Sequence, residues 1–125
     1  MADYRQLVVW QEAHKLTLLI YASTKNFPKE ELFGITSQLR RASASIAANI
    51  AEGNGRTSRR EYLQFLSIAR GSLNEVRYFI MLACDLGYIT TTAAESLESA
   101  AERVSRLLAG LIRSLSNSAR GKTAE

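Results

Sequence analysis

Residues 42–51 read Ala42-Ser43-Ala44-Ser45-Ile46-Ala47-Ala48-Asn49-Ile50-Ala51, ten positions without a charge. A helix that packs on one side only carries charge on the other, so this segment is predicted to be covered on more sides than a surface helix. Leu39, Ala42, Ile46 and Ile50 fall on one stripe at helical spacing, which a bundle core would cover. Ala44, Ala47, Ala48 and Ala51 lie on other sides, where small residues let a second helix come close. Two readings stay open. One is an alanine-rich surface helix, favoured by the helix propensity of alanine. The other is burial against a second subunit, which a closed homo-oligomer would provide for every copy.

Three further stretches share this periodicity. The first is predicted from Tyr4 to Thr24, with Val9, Ala13, Leu16 and Ile20 on one side and Trp10, Thr17 and Tyr21 on its flank. Asn26-Phe27-Pro28 ends it, because proline disfavours helix in the residue before it. The uncharged helix begins between Lys29 and Thr36 and is expected to stop at Gly53-Asn54-Gly55, residues that tolerate a left-handed cap. Ser58 and Glu61 have the spacing of a capping box ahead of a helix whose apolar positions include Tyr62, Phe65, Leu66, Ala69, Leu73, Val76, Ile80, Ala83 and Leu86, with Gly87 as its C-cap. Thr92 and Glu95 repeat the box before a last helix built on Leu97, Ala101, Val104, Leu108, Leu111, Ile112 and Leu115. The chain has 125 residues, 46% of them hydrophobic, with 8% aromatics and 1 proline, too few turn-formers for a sandwich or barrel. The reading is all-α, an up-down antiparallel four-helix bundle: one domain over 1–116 and a polar C-terminal tail over 117–125 expected to fray.

Several chemistries are excluded by count. One cysteine, Cys84, and one histidine, His14, rule out an internal disulfide, a Cys/His zinc site and a multi-histidine cluster. No cofactor and no metal are expected, and a reducing cytoplasm fits best. No apolar run approaches the roughly 18 residues of a membrane span, and no signal-type block follows the N-terminus. Cys84 reads as packing, since its sequence neighbour is Asp85 rather than a cation. Trp10 reads as core or interface. Gly53-Asn54-Gly55 lacks the preceding strand and the lysine of a nucleotide-binding loop.

Two sets of polar residues remain. Gln38, Arg41, Ser45, Asn49 and Glu52 recur at steps of three or four, so they share one direction. With Ser72 and Glu75 of the next helix they would form a matched network that fixes helix register; an enzyme reading would instead pair Glu52 with Glu75 as acid and base. The basic residues number 16 against 12 acidic ones, for a net charge of +4, and most are arginine, which grips phosphate through two parallel hydrogen bonds. Arg56, Arg59 and Arg60 crowd the start of the third helix, where the dipole is already positive and an anion would be welcome. Local pairing with Glu52 and Glu61 is the competing account. Arg70 and Arg77 extend the row along the same helix, so the candidate nucleic-acid-binding set is Arg56, Arg59, Arg60, Arg70 and Arg77. Arg106, Arg113 and Arg120 recur on the fourth helix, but Glu95, Glu98 and Glu102 precede them in the order that suits the dipole, with Glu102 and Arg106 at pairing distance.

Leu7-Val8-Val9-Trp10-Gln11, Phe27-Pro28 with Glu31, Gln38-Leu39-Arg40-Arg41-Ala42, Ser45, Asn49-Ile50-Ala51-Glu52-Gly53, Phe65-Leu66 with Ile68-Ala69, Gly71-Ser72-Leu73 with Glu75, and Leu86-Gly87-Tyr88 together resemble the small bacterial four helix bundle protein family. That family includes proteins encoded in intervening sequences of the 23S ribosomal RNA gene and is related to the accessory variability determinants of diversity-generating retroelements. The likeness runs from about Leu7 to Leu115. It implies an up-down bundle, a ring-shaped homopentamer and no known enzymatic activity. The retroelement relatives bind nucleic acid and a reverse transcriptase through a basic surface. The expected function is therefore a noncatalytic homo-oligomer that binds RNA or DNA through phosphate contacts, with a possible protein partner. The rival is a protein-binding scaffold whose charges only balance one another.

Overall fold

The computed structural model describes residues 3–124, with side chains described up to Asn117. A 3-10 turn, Tyr4–Gln6, capped by the Asp3 carboxylate, leads into α1, Val8–Thr24. A second 3-10 turn, Lys29–Glu31, precedes α2, Ile35–Asn54; then follow α3, Arg59–Asp85, and α4, Thr91–Ala124. Each helix packs on its two neighbours in chain order, α1 closes on α4, and the α2–α3 seam is the most extensive. This is the all-α up-down four-helix bundle the periodicity implies. The expected frayed tail over 117–125 falls largely on side chains outside the described residues.

One apolar core holds the bundle. Leu16, Ile20, Leu39, Ile46, Ile50, Leu66, Leu73, Val76, Val104 and Leu108 are almost wholly removed from water. Truncating any of the leucines or isoleucines to alanine would cost about 2–5 kcal/mol. Small residues set the spacing of α1 and α2. Ala13 and Ser43 are fully buried where the helices meet, and the Thr17 hydroxyl lies 3.1 Å from the carbonyl oxygens of both Ala13 and Ser43. Ala47 is buried here too. It is covered within the single chain, whereas Ala44 and Ala48 are exposed.

Three helix ends differ from the sequence reading. Helix α2 passes through Gly53 to Asn54, and Gly55 caps it in a right-handed conformation. The glycine at 53 is required for contact rather than for conformation: a Cβ there would lie 2.9 Å from Phe65 Cβ and 2.9 Å from Tyr62 Cδ1. Helix α4 is capped by Thr90, whose Oγ1 accepts from the Ala93 N–H at 3.1 Å, so Thr92 and Glu95 lie inside the helix. Helix α1 begins only at Val8, because the Asp3-capped turn occupies the first positions.

Two ends match it. Ser58 Oγ accepts from the Glu61 N–H at 3.1 Å and lies 3.2 Å from the Glu61 carboxylate. At the far end of α3, Gly87 has φ +79°, and the N–H groups of Tyr88 and Gly87 donate to the carbonyls of Ala83 and Cys84 at 2.9 and 3.0 Å. This paired closure needs a residue in the left-handed region. Gly87→Ala is expected to cost about 1 kcal/mol. Gly71→Ala, at an exposed helical position where a Cβ would meet nothing, should gain about 0.5–1 kcal/mol. Urea midpoints at one protein concentration would register the opposite signs.

Candidate nucleic-acid interface

The α2–α3 connection is short, and several of its backbone donors are used locally. The Gly55 N–H reaches the carbonyls of Ala51 and Glu52 at 3.3 and 3.2 Å, and the Arg56 N–H donates to Gly53 O at 3.0 Å. Ser58 takes the Glu61 N–H through its hydroxyl and the Tyr62 N–H through its carbonyl. These bonds close the turn between α2 and α3.

The five candidate arginines separate into two groups. Arg56 is a clamp: Nη2 lies 2.5 Å from Glu52 Oε1, Nη1 is 3.8 Å from Glu61 Oε2, and the guanidinium stands 4.8 Å from the Phe65 ring centroid. The local pairing account describes it well. Arg77 points to α4, where it pairs with Glu98 and, at 3.0 Å, with Glu102. Burial opposes its charge, but these two carboxylates outweigh that and raise its pKa. Arg59, Arg60 and Arg70 differ. Arg60 and Arg70 are exposed and Arg59 half-buried, and none of the three has a carboxylate within ion-pair distance among the described residues. Arg59 and Arg60 edge a shallow groove with Leu63, Gln64 and Ser67, and Arg70 follows Ser67 by one helical step on the same outer side of α3.

On α4, Arg106 pairs with Glu102 at 3.2 Å, as its spacing implied. Arg103 was not singled out by the heptad row, yet it bridges to Glu12 of α1 at 2.5 Å. The bond from Arg103 holds the Glu12 carboxyl below the usual range. Arg41 and Arg113 are also exposed without an ion pair among the described residues. Arg120 lies outside the described side chains.

The polar stripe of α2 forms the seam with α3. Asn49 Nδ2 donates to Ser45 O at 2.8 Å and reaches Ser45 Oγ at 3.0 Å, and Ser72 Oγ lies 3.0 Å from Ser45 Oγ. That contact fixes the antiparallel register. With 45 opposite 72, Glu75 lies level with Ala42, ten residues below Glu52, or about 15 Å along the axis. Glu52 is engaged by Arg56, and Glu75 lines a small notch with Gln38 and Arg41. The two carboxylates that an acid–base reading would pair are apart. Among the described residues no group of three or more His, Cys, Asp or Glu side chains could hold a metal ion, and no helix is long and apolar enough to cross a membrane.

The chain is a small four-helix bundle whose Arg59, Arg60 and Arg70, on one outer helix face, have no ion pair among the described residues. Residues 5–110 match the 23S rRNA-intervening sequence protein family, and the chain belongs to that family. It is also similar to a crystal structure from Bacteroides thetaiotaomicron, described as a protein of unknown function from the S23 ribosomal protein family. The TM-score is 0.76 at 29% identity, over 84% of this chain and 98% of that one. No curated protein matches the sequence.

Proposed function

We propose that the protein is a noncatalytic, cytoplasmic homo-oligomer, a pentameric ring on the family resemblance, that binds RNA or DNA through phosphate contacts with little sequence preference. The observation that carries this reading is the unpaired set Arg59, Arg60 and Arg70 on one outer face of α3. Unneutralised guanidinium groups at a helix start already made positive by its dipole favour an anionic ligand. A ring multiplies the charge, because one polyanion can reach the clusters of several subunits and gain avidity. The exposed Ala44 and Ala48, on the outside of α2, support assembly by leaving a smooth face for a neighbouring copy.

Gel-shift titrations of a 20-base-pair duplex and an RNA hairpin across ionic strength test the reading. Association should weaken with salt at a log–log slope of roughly −3 or steeper for three phosphate contacts per subunit, with little difference between scrambled sequences. Retention that ignores salt, or no retention at about 50 mM salt, would overturn it.

A further inference from the structure

We infer that the pocket at the α1–α2 corner binds a phosphate monoester carried on a small apolar body. The site is separate from the α3 arginines. Thr36 in its wall is about 27 Å from Asn54 along α2, and Arg59 and Arg60 lie beyond Asn54 at the other end of the bundle.

The pocket, of about 430 Å³, is formed by the end of α1, the connection and the start of α2. Lys25, Lys29 and Arg40 line it and no carboxylate does. None of the three cations has an acid in ion-pair range among the described residues. The two acids of the connection do not change this. Glu31 is engaged elsewhere, its Oε1 accepting from the Ile35 N–H at 3.4 Å and its Oε2 from the Tyr88 hydroxyl at 2.7 Å. Glu30 is exposed and outside the lining. The C-terminal end of α1 accounts for a cation at Lys25, but Arg40 is half-buried with neutral partners only. Its Nε donates to Thr24 Oγ1 at 2.8 Å, its Nη2 lies 3.4 Å from Tyr21 O, and the guanidinium stands 4.8 Å from the Tyr21 ring centroid. These contacts hold its orientation and leave its charge uncompensated.

A second observation points into the same place. Thr36 is 4% exposed and lines the pocket, and its Oγ1 is buried without a hydrogen-bond partner among the described residues. Buried hydroxyls left unpaired are rare and costly. This one stands in the first turn of α2, where the helix dipole also favours an anion. Charge and size set the ligand class. Three cations suit a group with more than one negative charge, and a phosphate monoester carries nearly two at neutral pH. The volume exceeds what a bare phosphate fills, and Pro28 and Leu32 supply an apolar wall for the group attached to it.

Phenyl phosphate titrated into the full chain at about 50 mM salt, followed by amide NMR shifts, tests the site. Saturable shifts should centre on residues 24–40, and phenol should give none. Lys29→Gln should weaken binding about fivefold. Arg40→Gln and Thr36→Val should each weaken it about tenfold, as expected for a lost hydrogen bond to a charged group. Thr36→Val keeps the shape and removes only the hydroxyl, so its urea midpoint should equal or exceed the parent's. Once the pocket is so established, a 5′-phosphorylated oligonucleotide and its 5′-hydroxyl counterpart, on a chain with Arg59, Arg60 and Arg70 all changed to Glu, separate the two sources of a monoester. Preference for the phosphorylated strand assigns the pocket to strand ends, and equal binding assigns it to small esters. Phenyl phosphate that moves no amide between 24 and 40, or that binds Lys29→Gln, Arg40→Gln and Thr36→Val as well as the parent, would overturn the proposal and leave the α3 reading untouched. A lowered midpoint in Thr36→Val would also count against it, since the hydroxyl would then already be satisfied within the fold.

Discussion

Gly53→Ala is expected to destabilise the protein by up to about 2 kcal/mol, and Gly53→Val by roughly 3 kcal/mol, although each adds a residue with better helix propensity than glycine. The sign follows from what the new Cβ would touch. At 53 it meets Phe65 Cβ and Tyr62 Cδ1 at 2.9 Å and the Tyr62 carbonyl oxygen at 3.3 Å. Phe65 Cβ is tied to the backbone of α3, and Tyr62 is held by its hydroxyl bond to Asn54 Oδ1 at 3.3 Å, so neither can swing aside cheaply. The strain of forcing the α2–α3 seam apart, about 1–3 kcal/mol for an added methyl in a packed site, exceeds the gain of about 1 kcal/mol from replacing a helical glycine. The site also bears on the arginines. Arg56 bridges Glu52 and Glu61 across this junction and stacks on Phe65, so a displaced Phe65 would loosen the start of α3. Urea midpoints for Gly53→Ala, Gly53→Val and Gly71→Ala decide it. Gly53→Ala stabilised as much as Gly71→Ala would mean that the close approach is absent.

The helices were legible because burial imposes a period. Leu39, Ala42, Ile46 and Ile50 were identified by spacing alone and all four are buried. The role of Gly53 was not legible, since a glycine near a helix end reads as a cap unless the facing residues are known. Only the register set by Ser45 and Ser72 brings Tyr62 and Phe65 against it. The same limit explains Ala47, which is buried within the single chain, and Thr90, which caps α4 although Thr92 has the better-spaced acid. For the arginines, sequence located the row but could not say which members were already paired. Glu98 and Glu102 are on another helix from Arg77, and a partner across a seam leaves no local spacing to read.

Reversing Arg59, Arg60 and Arg70 to glutamate together should weaken nucleic-acid association on the order of 100-fold at about 0.1 M salt and flatten the log–log salt slope by about 3, one for each phosphate that is no longer neutralised. The magnitude follows from counterion release. Each neutralised phosphate contributes a slope near −0.9, so three of them amount to between two and three decades between a 1 M reference and 0.1 M salt. The variants should fold normally, because none of the three side chains holds an ion pair among the described residues. Arg56→Gln and Arg77→Gln are the discriminating comparisons. Each removes one charge from the original candidate row, but Arg56 is held by Glu52 and Glu61 and Arg77 by Glu98 and Glu102. Their effect should fall on stability, where exposed pairs are worth about 0.2–1 kcal/mol, with the salt slope nearly unchanged. If binding instead followed total charge, all five substitutions would lower it in proportion, and the division between paired and unpaired arginines would carry no functional meaning. Equal retention by the triple glutamate variant and the parent would leave α3 without a role in binding and return the protein to the scaffold reading.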